Sequence, residues 1–148
     1  MSKELLKIND LKVSFFTPAG EVKAVNGISY SLEPGKVLGI VGESGSGKSV
    51  SSYSIMGLLD KPGKIVRGSI IFNGKDVSSM TTAERLNFAG NEVAMIFQDP
   101  MTCLNPVFTI GNQLAESLYH KYGKLPKEEV KKRSIELLSM VGINEPEK

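Results

Sequence analysis

The stretch Gly42-Glu43-Ser44-Gly45-Ser46-Gly47-Lys48-Ser49 constrains this chain more than any other feature. It satisfies G-x-x-x-x-G-K-(S/T) in full, and its flanks agree with a phosphate-binding loop. Before it runs Val37-Leu38-Gly39-Ile40-Val41, continuously apolar, as in a parallel strand buried on both faces. After it, Val50, Tyr53, Ile55, Met56 and Leu59 recur at helical spacing and predict a helix over 48–59 with that side buried. Glycines let such a loop turn its N–H groups inward as a nest for anions, and the helix start adds partial positive charge. The nucleotide-binding candidates are therefore Gly42, Glu43, Ser44, Gly45, Ser46, Gly47, Lys48, Ser49 and Val50. Lys48 would reach the β- and γ-phosphates as a point charge, and the Ser49 hydroxyl would coordinate Mg²⁺. The other reading is a Gly/Ser-rich surface turn. A dinucleotide fingerprint is not met, since the glycines run G-x-x-G-x-G.

The remaining bulk properties narrow the function classes. Eighteen Lys and Arg against sixteen Asp and Glu leave a net charge of +2, which argues against a dedicated nucleic-acid binder. Cys103 is the single cysteine, so neither a disulfide framework nor a zinc spacing exists, and a reducing compartment is expected. No run approaches the roughly 18 apolar residues that span a bilayer. The N-terminus, Met1-Ser2-Lys3-Glu4, is polar, with no signal-like apolar segment after it.

Along the chain, strands come first and helices last. Leu5–Ile8 and Leu11–Phe15 alternate in part, Thr17–Gly20 is a turn, and strand character resumes from Val22 to Leu32. Ser69–Phe72 reads as a strand that ends at the Asn73-Gly74 turn. Thr81 followed by Glu84 predicts a capping box on a short helix reaching about Phe88. Val93–Phe97 reads as a second continuous apolar strand, ending in Gln98-Asp99-Pro100. Beyond Pro106, Ile110, Leu114, Leu118 and Tyr119 predict one helix. Val130, Ile135, Leu138 and Met140 predict another, the two joined around Gly123–Pro126.

Three stretches, "AVNGISYSLEPGKVLGIVGESGSGKSV", "GSIIFNGKDV" and "VAMIFQDPMTCLNPVFTIGNQLAE", resemble the ATP-binding subunits of ABC transporters. Within that family the chain is most similar to the D-type ATPases of dipeptide, oligopeptide and nickel importers, over residues 5–143. Cys103 stands where that branch has Ser. The resemblance implies an α/β fold: a P-loop NTPase core with an N-terminal antiparallel β subdomain and the start of a helical subdomain. It places the core at 1–105 and the incomplete helical subdomain at 106–148. It implies ATP and Mg²⁺ as ligands, with Lys48 and Gln98 catalytic. Gln98 matches the Q-loop glutamine that contacts Mg²⁺ and water; a strand-end glutamine with a local hydrogen bond is the alternative. Phe15 matches the aromatic that stacks on adenine, with Phe16 as the alternative and a core role open for either.

The implied partners are transmembrane permease subunits, near the segment after Pro100, a second ATP-binding subunit and, indirectly, a substrate-binding protein. The implied location is the cytoplasmic face of the membrane, as a peripheral subunit. The family's Ser-Gly-Gly signature, Asp-Glu strand and switch histidine are not found; Leu138–Gly142 lacks paired glycines and His120 reads as a surface residue. The chain is thus expected to be a fragment that binds nucleotide with negligible turnover and exposes a sheet edge. A stand-alone P-loop kinase or GTPase using Asp99, or a nucleotide-sensing module, is the competing reading.

Overall fold

The computed structural model describes residues 4–99 and 103–147, so Pro100, expected to begin a departing loop, lies outside them. The chain forms two compact units, Met1–Ala89 and Gly90–Lys148.

The first unit is built on an antiparallel sheet of order β2-β1-β3-β4, with β1 at Leu6–Thr17, β2 at Gly20–Leu32, β3 at Gly63–Phe72 and β4 at Lys75–Asp76. The two apolar stretches expected near the N-terminus are one bent strand. Ile8 and Leu11 are both fully buried, although their odd spacing would send them to opposite faces of a regular strand. A bulge reconciles them. The pairing register of β1 shifts between Ile8 and Leu11 against β2, and Asp10 adopts φ 40° with its N–H donating to Ser29 Oγ at 2.8 Å.

Local chemistry sets the other boundaries. Thr17 Oγ1 donates to the Gly20 carbonyl at 3.0 Å across the first hairpin. Asn73 and Gly74, at φ 46° and 81°, form the tight turn between β3 and β4 that their sequence predicts. Helix α1 (Lys48–Met56) stops short of Leu59 because Gly57 takes the left-handed conformation at φ 70° and caps it. A 3-10 turn, Val77–Ser79, and α2 (Thr82–Asn87) complete the unit. Val25, Met56, Ile70, Val77 and Phe88 join the β1 residues in its core, with Phe88 edge-on to Phe72 at 5.2 Å.

In the second unit α3 (Ile110–Tyr122) packs on α4 (Lys127–Met140), as the apolar spacing predicts. Leu118 and Val130 are its most buried apolar side chains. Thr109 caps α3 by accepting from the Asn112 N–H at 3.2 Å. Arg133 pairs with Glu129 at 2.7 Å and lies over the Tyr122 ring at 4.6 Å, tying the helices together. Met140, expected on the buried side, is 82% exposed. It follows Leu138 by two residues, about 200° around the helix, and so faces away.

Two expectations fail. Residues 37–41 form no strand, with Val37 99% and Val41 94% exposed, and residues 93–97 form none either, with Ile96 95% exposed. The physical reason is common to both. A parallel strand closes no hydrogen bonds of its own and exists only beside neighbours brought in by crossovers. The described residues of each unit supply these segments with no pairing strand.

Candidate functional site

The loop at Gly42–Ser49 leads directly into α1. Gly45 and Gly47 have φ 79° and 90°, and Ser46 N–H closes a turn on the Glu43 carbonyl at 3.2 Å. A Cβ on Gly47 would strike the carbonyl of Ala24 on β2, so this position accepts no side chain. Lys48 folds back over the loop. Its Nζ donates to the carbonyl oxygens of Gly42 at 2.7 Å and Glu43 at 2.6 Å, and to Ser46 Oγ at 3.4 Å.

No side chain caps the start of α1, and no acidic residue lies in its first turn. The first amides of any helix have no intrahelical partner, so its positive end is open to an anion. Ser49 is exposed at that end, with Val50 half-buried behind it. An open helix start, left-handed glycines and a cation parked on neutral carbonyls fit a polyphosphate. Among the described residues no three His, Cys, Asp or Glu side chains converge on a metal position.

The buried side of α1 differs from the sequence expectation. Ser51 and Ser54 are fully buried, whereas Val50, Tyr53 and Ile55 are only half-buried and Met56 alone of the expected set is buried. Both serines satisfy themselves on the helix: Ser51 Oγ donates to the Lys48 carbonyl and Ser54 Oγ to the Val50 carbonyl, each at 2.7 Å. Small, self-bonded hydroxyls are cheap to bury and let α1 lie close to β2. Tyr30, on β2, has its hydroxyl buried, which raises its pKa, and the neighbouring Ser51 hydroxyl partly offsets this. The sequence signal for this face was the i, i+3 pair of serines, which a hydrophobicity pattern passes over.

The other candidates lie apart from the loop in sequence. Phe15, on β1 opposite Val22 and Gly63, is half-buried with its ring edge on the Gly63 backbone. Phe16 is 46% exposed, with Lys64 Nζ 5.9 Å from its ring centre, and so offers the more open π-face. Gln98 belongs to the second unit, where it is exposed and follows an irregular segment rather than a strand. His120 is exposed on α3, as expected, and its imidazole lies over Gly90. Cys103 is exposed, with Sγ 3.6 Å from the Asp99 carbonyl.

Residues 25–148 match the family described as ABC transporter. The chain belongs to the ABC transporter family. Among curated ABC transporter proteins it is 51% identical over 145 residues to the oligopeptide transport ATP-binding protein OppD of Bacillus subtilis (strain 168), covering 97% of this chain and 40% of that one. It is 50% identical over 143 residues to the dipeptide transport ATP-binding protein DppD of Escherichia coli (strain K12), covering 96% and 43%. The chain thus spans about two fifths of the length of these relatives.

Among solved structures it resembles the dimeric bacterial ABC transporter cassette MJ0796, at TM-score 0.81 and 23% identity over 95% of this chain and 58% of that one. That likeness shows the fold. A second cassette, cbiO1 from Clostridium perfringens, aligns at TM-score 0.71 and 25% identity over 98% and 53%. The expected fold class, an ABC ATPase core with an antiparallel β subdomain, agrees with both.

Proposed function

We propose that this chain is the phosphate-binding portion of the ATP-binding subunit of an ABC importer for dipeptides, oligopeptides or nickel. The observation that carries the reading is the Lys48 ammonium held over the mouth of a glycine loop at the start of α1. The names of the relatives, oligopeptide and dipeptide transport ATP-binding proteins, support the importer class. Mg-ATP, when bound, supplies the γ-phosphoryl group whose transfer to water drives transport.

In this reading the amides from Gly42 to Val50 hold the phosphate oxygens, and Lys48 leaves two neutral carbonyls for charged ones. Ser49 and Gln98 are the residues that would offer oxygen ligands to Mg²⁺, and the Gln98 amide would orient water. Phe15 or Phe16 offers a face to adenine, worth about 1–3 kcal/mol for a stacked base. Residues 1–105 form the nucleotide-binding core and 106–148 the beginning of a helical subdomain.

No helix among the described residues is long and apolar enough to cross a membrane. The reading adds, by resemblance to the family, permease subunits at the cytoplasmic face of the membrane, contacted through the segment after Pro100, and a second ATP-binding subunit. Residues 1–148 contain no Ser-Gly-Gly signature and no strand ending in Asp-Glu. Steady hydrolysis is accordingly assigned to the complete subunit, and binding to this stretch. Calorimetric titration of the purified chain with Mg-ATP tests the reading. Saturable 1:1 binding that Lys48→Ala weakens supports it; an inert chain, or equal binding by the variant, overturns it.

A further inference from the structure

The far end of α1 carries a feature that the phosphate loop does not explain. Helix α1 has no basic residue in its last turn, where a cation would oppose the negative end of its dipole. Arg85 of α2 supplies one from another element. Its guanidinium lies against Gly57, the residue that caps α1, and a Cβ built there would collide with Arg85 Nη1. Two hydrogen bonds fix the group: Nε donates to the Met80 carbonyl at 3.3 Å and Nη2 to the Ser78 carbonyl at 3.2 Å. The end of α1 also borders a cleft of about 560 Å³ lined by Ser54, Gly57 and Arg85, so Arg85 supplies a contact on an otherwise open side.

We propose that Arg85 is a positioning residue for the phosphate loop, acting through α1 as a latch closed on Gly57. Helix α1 has nine residues, and the loop is its direct N-terminal continuation. A short helix moves as a rod, so freedom at the Gly57 end becomes freedom of the amides at the Lys48 end. The role of the latch in nucleotide affinity rests on the phosphate-loop reading above. Its role in ordering the loop does not.

Three variants test it. Arg85→Ala removes the latch, and Arg85→Lys keeps a cation without the fork. Gly57→Asn tolerates the left-handed backbone but displaces the guanidinium. Hydrogen exchange of the ligand-free chain should show the Ser46 and Ser51 amides, which are bonded to the Glu43 and Gly47 carbonyls, exchanging about two- to fivefold faster in Arg85→Ala and in Gly57→Asn, the size expected for a lost helix-end charge. Arg85→Lys should recover part of the protection. The Gly57→Asn/Arg85→Ala double variant should be no worse than either single one, because both break the same contact.

Calorimetry with Mg-ATP should show the same two- to fivefold loss and the same non-additivity. Loop exchange unchanged in the folded variants, or additive losses in the double one, would overturn the latch. Should the unmodified chain fail to bind Mg-ATP, the nucleotide reading falls while loop exchange still decides the latch. Should Arg85→Ala fail to fold, Arg85→Lys and Gly57→Asn carry the same comparison.

Discussion

Lys48 Nζ donates to the carbonyl oxygen of Gly42 at 2.7 Å, so the single cation of the loop closes back on its first residue. The ammonium satisfies two neutral carbonyls, those of Gly42 and Glu43, and under the proposed function it would exchange them for phosphate oxygens. A charge-assisted bond to phosphate is worth about 1.5–3 kcal/mol, against about 1 for a bond to a neutral acceptor. Lys48→Ala should therefore weaken Mg-ATP binding by about two- to thirtyfold, read by calorimetry. A variant that binds as tightly as the parent would overturn the phosphate-loop reading.

Gly47 tests the loop independently of charge. Its φ of 90° already strains any L residue, and a Cβ there would meet the Ala24 carbonyl. Gly47→Ala should lower stability by about 1–3 kcal/mol in urea unfolding, the usual scale for a forced left-handed residue. It should also weaken nucleotide binding, because the backbone must turn away from β2 to make room. Unchanged stability would mean that the loop and β2 do not touch in solution.

Where one or two residues decide a conformation, the sequence was readable. Thr81 and Glu84 make the reciprocal cap, Asn73-Gly74 makes the turn, and Pro126 and Gly123 separate α3 from α4. The glycine loop belongs to the same class, since its shape follows from residues that lie within eight positions of one another. Contacts across elements left no such trace. The bulge that lets Ile8 and Leu11 face one way needs Ser29 of β2 to receive the Asp10 N–H, and nothing near Asp10 in sequence announces it. Ser51 and Ser54 read as polar because the carbonyls that satisfy them are invisible in a hydropathy pattern. Val37–Val41 was misread as a formed strand because apolar composition expresses a demand for neighbours and cannot show that the neighbours are present.

That demand makes its own prediction. Val37 and Val41 project almost entirely into solvent, with Leu38 and Ile40 partly exposed between them. A short apolar segment with unpaired backbone is a template for pairing with another chain. The 148-residue chain should therefore self-associate as its concentration rises, seen by light scattering on a sizing column. Val37→Lys/Val41→Lys should shift it toward monomer without loss of helix content. A parent chain that stays monomeric at high concentration would remove this segment as an association site.

The cap on α2 gives a pH signature. Thr81 N–H and Thr81 Oγ1 donate to Glu84 Oε2 at 2.8 and 2.7 Å, and the Glu84 N–H donates back to Thr81 Oγ1 at 3.3 Å. The hydrogen bonds from the Thr81 side chain and then its backbone hold the Glu84 carboxyl below its ordinary value. A lowered carboxyl contributes stability that is fully present above the unfolded value, about 4.3, and that is lost as pH falls through the folded one. Thr81→Ala removes the hydroxyl, which is both donor to the carboxylate and acceptor for the amide. It should cost about 0.5–2 kcal/mol at neutral pH, measured by urea unfolding. On acidification the parent loses its carboxylate hydrogen bonds, so the gap between parent and variant should narrow and leave only the acceptor part of the cap. The carboxyl is solvent-exposed, so added salt should shrink the pH-dependent part further. A gap at about pH 3 as large as the one at neutral pH would mean that Thr81 stabilises α2 without using the Glu84 charge.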